Sequence, residues 1–369
     1  MGKGLKSKTD DVENQICQLI LKRSLPEGAQ IPSESMICEN CHVSRITARR
    51  AVANLVSKGV LYTEHGRGSF VKSFAQTQKI YGADVLSHTI GLFMPRDGYF
   101  MSAVYGVEDV VKNAGFRIFV SSFSSESFRD HAKEILDYAA GGMDGAIINT
   151  PESSPYPSEY LELFQKLKNV VVFNSPSPSP EIASVSSDDV EGMTQVMRYL
   201  FSLGHRRIAF LGGETCVATT RDRLSGYRQA LMECPGAEKE IVLFCKEYVA
   251  DDACRVLGRC LESDAPLPTA LVCATDELAS YAYRSLLSHG IRIPEEISVI
   301  GYGNLDLAYK LTPPLTSVDQ HPQEQGRLAG ELLLRQIFRQ EIPVRQMRVQ
   351  PSLHIKQSCA VPKQQERKG

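Results

Sequence analysis

The sequence VSRITARRAVANL (residues 43–55) decides how the first part of this chain folds. Its apolar residues recur at helical spacing and form a stripe along one side of the predicted helix. That stripe consists of Ala48, Ala51, Val52 and Leu55. Arginines occupy another side, and the serine before the first turn can cap the helix by accepting a backbone N–H. Such a helix packs one face against a core and offers guanidinium groups, backbone amides and a positive dipole end to an anion such as phosphate.

Two further helices are predicted upstream of this stretch and a hairpin downstream. Residues 11–23 have the apolar periodicity of an amphipathic helix, and residues 33–41 can form a second, shorter one. In GVLYTEHGRGSFV (residues 59–71), two apolar runs flank residues 65–68, whose glycines permit a tight reversal. We therefore predict three helices followed by a two-stranded wing with Arg67 at its tip.

The motifs of residues 10–72 resemble the winged helix-turn-helix of the gluconate-repressor (GntR) family. The matching motifs are LPEG (25–28), IPSE (31–34), VSR (43–45), Thr47, RRA (49–51) and GRGSFV (66–71). This resemblance implies a domain that binds double-stranded DNA, with the third helix in the major groove and the wing at the backbone or minor groove. The residues that we expect to bind DNA are Ser44, Arg45, Thr47, Arg49, Arg50, His65, Gly66 and Arg67. Ser35 stands where many members carry arginine, which weakens or removes a contact from the second helix.

The charge of the chain is distributed unevenly, although its formal net charge is only -2. Residues 1–75 carry roughly 11 lysines and arginines against about 7 acidic residues, so this part has a charge of about +4 and the remainder about -6. Only the N-terminal part suits a polyanion. We assign residues 1–75 to the DNA-binding domain and residues 76–88 to a linker.

The N-terminus lacks an apolar segment of the kind found in secretory signals or membrane spans. Ten cysteines in such a chain predict reduced thiols and a cytoplasmic protein. Residues 38–42, CENCH, match the pattern of c-type haem attachment, but they fall at the end of a predicted helix in a DNA-binding unit. No second pair of ligands follows at a spacing useful for zinc. We therefore expect no cofactor and no metal.

Short apolar runs alternate with helical patterns throughout the larger C-terminal part. The predicted strands are residues 89–93, 117–120, 145–149, 170–173, 208–211, 270–273 and 298–301. The predicted helices between them are residues 103–115, 129–140, 192–203, 223–234 and 277–289. This alternation is typical of parallel sheets built from βαβ units, and its length favours two sheets over one. A ligand would bind where the carboxyl ends of the strands face each other.

Residues 89 to about 340 are similar to the effector domain of the lactose/galactose-repressor (LacI/GalR) family. The motifs that carry this similarity are SLGHRRIA (202–209), RDRLSGY (221–227), TDELA (275–279), GIRIPEEISVIGY (290–302) and PPLTSV (313–318). The resemblance implies an α/β fold like that of periplasmic sugar-binding proteins, with two lobes around a small ligand and dimer contacts along their sides. Residues 89–357 are assigned to this effector-binding and dimerisation domain, and residues 358–369 to a polar tail. The whole chain thus resembles the arabinose-repressor type, which joins a GntR head to a LacI body.

Arg223 is the main candidate for ligand binding, because a guanidinium can donate two parallel hydrogen bonds to hydroxyls or to a carboxylate. The full set of expected effector-binding residues is Arg96, Tyr99, Phe100, Arg223, Thr275, Asp276, Tyr302 and Asn304. Gly303 and Asn304 replace the paired aspartates that the family often carries, and Thr275 replaces an asparagine. We therefore expect a more positive cleft that tolerates a sugar acid or sugar phosphate as well as a neutral sugar. His205, beside a helix end, is expected to be structural.

The leading hypothesis is a transcription factor, most simply a repressor, that binds operator DNA as a homodimer and responds to a small ligand. A solute-binding protein that delivers sugar to a transporter is the alternative, but it would need an export signal and has no use for a winged helix. An α/β enzyme is a third hypothesis. The chain has no Gly-x-Ser-x-Gly, Walker or His-Glu-x-x-His motif, so no enzymatic activity is expected.

Overall fold

The computed structural model describes residues 8–22, 25–81, 86–95, 98–123, 128–150, 158–175, 177, 179–213, 217–246 and 250–363. Two compact units, Met1–Ser87 and His88–Gly369, divide the chain. We call the first unit the head and the second the body. None of the helices in the described part of the chain has the length and apolar composition needed to cross a membrane.

The head contains the predicted three helices and wing, followed by a fourth helix. Its elements are α1 (Lys8–Lys22), α2 (Glu34–Cys41), α3 (Arg45–Ser57), β1 (Leu61–Glu64), β2 (Gly68–Val71) and α4 (Phe74–Tyr81). The apolar stripe predicted on α3 is buried, and it packs with apolar residues of α1, α2 and the wing in one core. The winged helix-turn-helix predicted from the sequence is therefore confirmed.

The fourth helix of the head was not predicted, because residues 76–88 were expected to be a linker. Instead, α4 continues the head, and Thr77 is fully buried. Ser73 accepts hydrogen bonds from the Gln76 amide (3.2 Å) and, through its carbonyl, from the Thr77 hydroxyl (2.7 Å). The Gln76 side chain also donates to the Lys58 carbonyl, at 3.4 Å. Any linker is consequently shorter than expected. Most of the segment between α4 and the body consists of residues 82–85, which lie outside the described part of the chain.

The body consists of two lobes, each built on a six-stranded sheet. The strands of the first lobe are β3 (Thr89–Pro95), β4 (Arg117–Phe123), β5 (Gly145–Ile148), β6 (Val170–Phe173), β7 (Ala183–Ser187) and β13 (Gln346–Val349), in the order β13-β7-β6-β5-β3-β4. Those of the second are β8 (Ile208–Gly212), β9 (Ile241–Phe244), β10 (Ala270–Cys273), β11 (Ser298–Tyr302), β12 (Thr316–Asp319) and β14 (Ser352–His354), in the order β14-β12-β11-β10-β8-β9. All pairings are parallel except that of β14 with β12. The two parallel sheets expected from the sequence are confirmed.

Helices connect the strands within each lobe. The first lobe carries α5 (Gly98–Val111), α6 (Phe128–Ala140), α7 (Ser158–Lys166) and α13 (Pro322–Ile337). The second carries α8 (Asp189–Ser202), α9 (Ala218–Glu233), α10 (Ala250–Leu261), α11 (Asp276–Ser288) and α12 (Asp306–Lys310). All seven predicted strands are present, and β7, β9, β12, β13 and β14 are additional. Four of these five, β7, β12, β13 and β14, are short and rich in polar residues, so they lack the continuous apolar run that marks a buried parallel strand. The fifth, β9, is an apolar strand at a sheet edge.

The chain passes between the lobes three times. The first passage leads from β7 into α8 at residues 187–189, the second from β12 into α13 at residues 319–322, and the third from β13 into β14 at residues 349–352. Each lobe is therefore assembled from separate parts of the sequence. The carboxyl ends of β7 and β12, and the residues that follow them, lie where the lobes join.

The segment after β14 belongs to the body, although residues 358–369 were expected to form a polar tail. Ser358 is fully buried, accepts a hydrogen bond from the Thr316 amide (2.8 Å) and donates to the Val299 carbonyl (2.5 Å). The ring of His205 is buried beside this segment, with Nε2 2.9 Å from the Ala360 carbonyl oxygen. Burial lowers the pKa of His205, which fits the structural role expected for it. The body thus extends to at least Ala360.

Helices α5 and α13 approach each other closely because glycines lie at their crossing. A Cβ atom built on Gly106 would overlap the backbone carbonyl of Gln323, and one built on Gly326 would overlap that of Ala103. Gly330, also on α13, differs, since a Cβ there would lie 3.5 Å from its nearest neighbours. Only the first two glycines are needed for the close approach of these helices.

We expect Gly106→Ala to destabilise the body by about 1–3 kcal/mol, because the clash is with backbone and the helices must move apart. Gly330→Ala is the matched control. It should leave the melting temperature unchanged or raise it, since alanine is the better helix former by up to about 1 kcal/mol. Thermal unfolding of the two variants measures the difference, and equal melting temperatures would refute this account of the crossing.

Candidate functional site

The N-terminus of α3 is formed as the sequence predicts. Ser44 has extended backbone angles, and its hydroxyl accepts a hydrogen bond from the Thr47 amide at 3.3 Å. The two hydroxyl oxygens of these residues are 3.0 Å apart. The cap fixes the first turn of the helix, which is the part of a recognition helix that reaches base edges.

The arginines expected to bind DNA are exposed on α3. Arg45 and Arg50 have no ion pair with any residue of the described part of the chain. Arg49 differs, because its guanidinium lies 3.1 Å from the carboxylate of Glu34, in the first turn of α2. This pair is largely exposed, so it contributes little to stability and can be exchanged for a phosphate or a base. It does hold the Arg49 side chain toward α2 in the structure.

The tip of the wing presents the remaining residues of the predicted DNA interface. His65, Gly66 and Arg67 are all exposed in the turn that joins β1 to β2. Gly66 has a φ of 74°, a left-handed conformation that glycine adopts without strain. The turn is tied to the head, because the Gln30 side chain donates to the Arg67 carbonyl at 2.8 Å. Arg67 is paired with Glu64 at 2.7 Å, again at the surface.

A buried network surrounds Arg223 in the body. Its Nε and Nη2 atoms lie 3.1 and 3.0 Å from one carboxylate oxygen of Asp189, the first residue of α8. Its Nη1 atom donates to the Ala274 carbonyl at 2.5 Å. The guanidinium carbon lies 4.0 Å from the centroid of the Tyr302 ring. The Tyr302 hydroxyl donates to the second Asp189 oxygen at 3.0 Å, and the Gln320 amide approaches the same oxygen at 3.3 Å.

The Arg223–Asp189 pair is almost completely removed from solvent, with side-chain exposures of 7% and 4%. Burying both charges costs solvation free energy, which their attraction and the added hydrogen bonds offset. Burial also raises the pKa of Tyr302 well above its ordinary value, so this phenol remains a hydrogen-bond donor. The network is a buried group of polar side chains that contains both hydrogen-bond donors and hydrogen-bond acceptors.

The carboxylate beside Arg223 was not expected from the sequence. Asp189 supplies it from α8, so the guanidinium is paired although Gly303 and Asn304 replace the paired aspartates. The more positive cleft expected from that replacement stays a prediction. One signal for Asp189 was missed, because it begins a helix just after β7, at a passage between the lobes, and β7 itself was not predicted.

Thr275 and Asp276 make hydrogen bonds that stabilise the fold. Thr275 caps α11 by accepting a hydrogen bond from the Leu278 amide at 3.1 Å. The buried Asp276 carboxylate accepts from the Ser317 hydroxyl (2.5 Å) and from the Leu305 amide (2.9 Å). Burial raises the pKa of Asp276, and the hydrogen bond from Ser317 opposes the rise. These contacts fix the loop after β11, so a direct role in ligand binding stays a prediction that the geometry does not favour.

Asn304 is part of a separate cluster. Its side-chain oxygen accepts from Lys356 at 2.6 Å, and its amide nitrogen lies 3.3 Å from Asp319. It lines an open groove of about 890 Å³ together with Tyr105 and His321. The structure therefore does not bring Asn304 together with the Arg223 network.

Tyr99 and Phe100, on the first turn of α5, are buried in the first lobe. The Tyr99 hydroxyl lies 3.0 Å from the side-chain oxygen of Asn174, and both rings pack around Phe173. The two aromatic rings lie beside Asn174, a polar residue that directly follows β6. Asn174 was not among the residues expected from the sequence to bind an effector. Arg96, the remaining predicted effector residue, lies outside the described residues.

A small polar cavity lies between the lobes, beside the Arg223–Asp189 pair. Its volume is about 30 Å³, and its lining residues come from both lobes: Asn174, Ser175, Ser186, Ser187, Asp189, Ala218, Thr219, Asp222 and Arg348. A volume of this size suits about one water molecule. A sugar would therefore require the lobes or the lining side chains to move apart.

Two family models match the chain. The model of bacterial regulatory proteins of the gntR family matches residues 8–71, and that of the periplasmic binding protein-like domain matches residues 197–359. The chain joins a GntR-type DNA-binding domain to a LacI-type effector domain. The winged head and the two-lobed body predicted from the sequence are thereby confirmed.

Individual relatives match the chain over different shares of its length. The arabinose metabolism transcriptional repressor of Geobacillus stearothermophilus is 26% identical over 340 residues, which cover 90% of this chain and 91% of that protein. The HTH-type transcriptional repressor PurR of Vibrio atlanticus is 29% identical over 255 residues, or 68% of this chain and 75% of that protein. The crystal structure of a LacI family transcriptional regulator from Enterococcus faecium with bound ribose is 26% identical, has a TM-score of 0.64 and covers 74% of this chain and all of that one. The two former relatives are named transcriptional repressors, and the third is named a transcriptional regulator.

We expect Asp189→Asn to destabilise the LacI-type body by about 3 kcal/mol, because it leaves the Arg223 charge buried without its counter-ion. Asp222→Asn is the matched control. Asp222 lines the same cavity, and its partner Arg221 lies at 3.7 Å with both side chains partly exposed, so its loss should cost less than about 1 kcal/mol. Urea and thermal unfolding would measure both changes. A similar loss of stability in the two variants would contradict the role assigned to the buried pair.

Proposed function

We propose that this protein is a transcriptional repressor that binds operator DNA through its head and changes its affinity when a small polyhydroxylated ligand binds between the lobes of its body. The observation that carries the proposal is the exposed basic face of α3, next to a capped helix N-terminus and an arginine-tipped wing. This arrangement suits a duplex, because the helix can enter the major groove while the wing contacts the backbone. The names of the relatives support the same function.

The DNA interface that we propose consists of the exposed arginines of α3, its capped first turn and the tip of the wing. Arg45 and Arg50, which form no ion pair within the described part of the chain, offer their guanidiniums to bases or phosphates. Arg49 and Arg67 can join them by exchanging their exposed acidic partners for phosphate. Each of these two arginines gives up a carboxylate partner when it binds a phosphate, so the gain in binding free energy from any single phosphate is lowered. This favours DNA sites that also provide base contacts.

The ligand that fits the body best is a neutral sugar. The charge of Arg223 is balanced by Asp189, so an anionic ligand gains no uncompensated cation there. Hydroxyl groups both donate and accept, which matches a surface of serine, asparagine and carboxylate groups at the cavity between the lobes. The Enterococcus faecium regulator has ribose bound in its crystal structure, which supports this ligand class.

We further propose that the protein acts as a homodimer in the cytoplasm, where its operator lies. A dimer with twofold symmetry presents two heads to an inverted repeat, and doubling the contacts raises both affinity and specificity. Its effect on DNA requires binding and release alone, without a covalent step.

The test of this function is the effect of Arg45→Ala on an operator selected from a random duplex library by the full-length protein. If Arg45 contacts a base, specific binding should weaken by about 1–3 kcal/mol. If it contacts a phosphate, the slope of log affinity against log salt should fall by about one unit. Fluorescence anisotropy at several salt concentrations measures both quantities.

The control is Arg228→Ala, which removes an exposed arginine from α9 in the body. It should change neither affinity nor salt slope. If the library yields no preferred sequence, or if Arg45→Ala behaves like Arg228→Ala, the proposed interface is wrong.

A further inference from the structure

An isoleucine at the start of the recognition helix is almost fully exposed. Ile46, the second residue of α3, has 82% of its surface accessible to solvent. The other exposed large apolar residues described in the head are Met36, Val56 and Ile80, with 52%, 37% and 40%. Solvent-exposed helix positions usually carry straight-chain polar residues, since β-branched side chains lower helix propensity there. Neither packing nor helix formation explains this isoleucine.

The position of Ile46 places it on the proposed DNA-binding face. It lies one helical turn before Arg49 and Arg50, at the i+3 and i+4 spacings that bring side chains onto one face. Ala48, which begins the buried stripe, lies two positions away and therefore points to the opposite side. Ile46 is thus an apolar side chain next to arginines on the same face of α3.

The polar side chains around Ile46 are less available for reading bases. The hydroxyls of Ser44 and Thr47 are 3.0 Å apart and occupied with each other and with the helix cap. Arg49 is held toward α2 by Glu34. In the first turn of α3, base recognition consequently depends on Arg45 and Ile46.

We propose that Ile46 determines sequence specificity by packing against the 5-methyl group of a thymine in the major groove. The proposal rests on the proposed function of the head as an operator-binding domain. Thymine carries the only methyl group on the major-groove edges, whereas cytosine has a hydrogen at C5 and presents an amino donor at the adjacent C4. An isoleucine there buries the methyl group of thymine favourably. At a cytosine it gains no methyl contact and covers part of an amino donor that it cannot pair. Both effects select T over C at one position of each half-site.

The experiment replaces thymines of the selected operator by deoxyuridine, one position at a time within one half-site. This exchange removes a methyl group and changes no hydrogen-bonding group. For the wild-type protein, one exchange should weaken binding about three- to fivefold, the effect of burying one methyl group. Ile46→Ala removes the contact from both half-sites of a homodimer, so it should bind the thymine operator about 9- to 25-fold more weakly. It should not distinguish thymine from deoxyuridine at that position.

Val56→Ala is the matched control, because it shortens an exposed aliphatic side chain near the other end of the same helix. It should retain the full response to deoxyuridine. Two results overturn this inference alone while specific binding is retained. In the first, no deoxyuridine exchange lowers the affinity of the wild-type protein. In the second, the exchange lowers the affinity of Ile46→Ala as strongly as that of wild type. Absence of any specific DNA binding overturns the proposed function together with it.

Discussion

The buried pair of Arg223 and Asp189 holds the body together where its lobes join. Asp189 lies two residues beyond the last residue of β7, at the first passage of the chain between the lobes. Its two oxygens receive hydrogen bonds from the guanidinium, from the Tyr302 hydroxyl and from Gln320, which lies in the second passage. The same group of side chains therefore connects two of the three passages and the carboxyl end of β11. Because removing one partner would leave the other charge buried and unpaired, these segments stay together.

This junction explains how a binding event in the body could affect the head. The cavity beside the pair receives residues from both lobes and holds only about 30 Å³. A ligand that contacts residues of both lobes binds best to the arrangement that brings those residues together, so it discriminates between arrangements of the body. Such discrimination is the requirement for a ligand to shift a conformational equilibrium, since equal affinity for both arrangements would shift nothing.

Local patterns in the sequence were sufficient for the head and for the sheets. The stripe of Ala48, Ala51, Val52 and Leu55 depends only on helical periodicity, and the strands of the sheet centres are apolar throughout. The contacts of the effector region depend instead on which strand ends become neighbours in space. Asp276 looked like a ligand-binding carboxylate, yet its oxygens are engaged by Ser317 and Leu305. Asp189 was overlooked because its partner is 34 residues away in the sequence, and α4 was overlooked because its eight residues are too few for a helical repeat to stand out.

We propose that ligand and operator affinities are coupled through the body. The most direct measurement determines the operator affinity with and without a saturating sugar that binds the protein, and the sugar affinity with and without saturating operator. Linkage requires the two ratios to be equal, and coupling in this class of mechanism typically amounts to about 5- to 150-fold. A sugar that binds the body, as shown by calorimetry, and leaves the operator affinity unchanged would contradict the account.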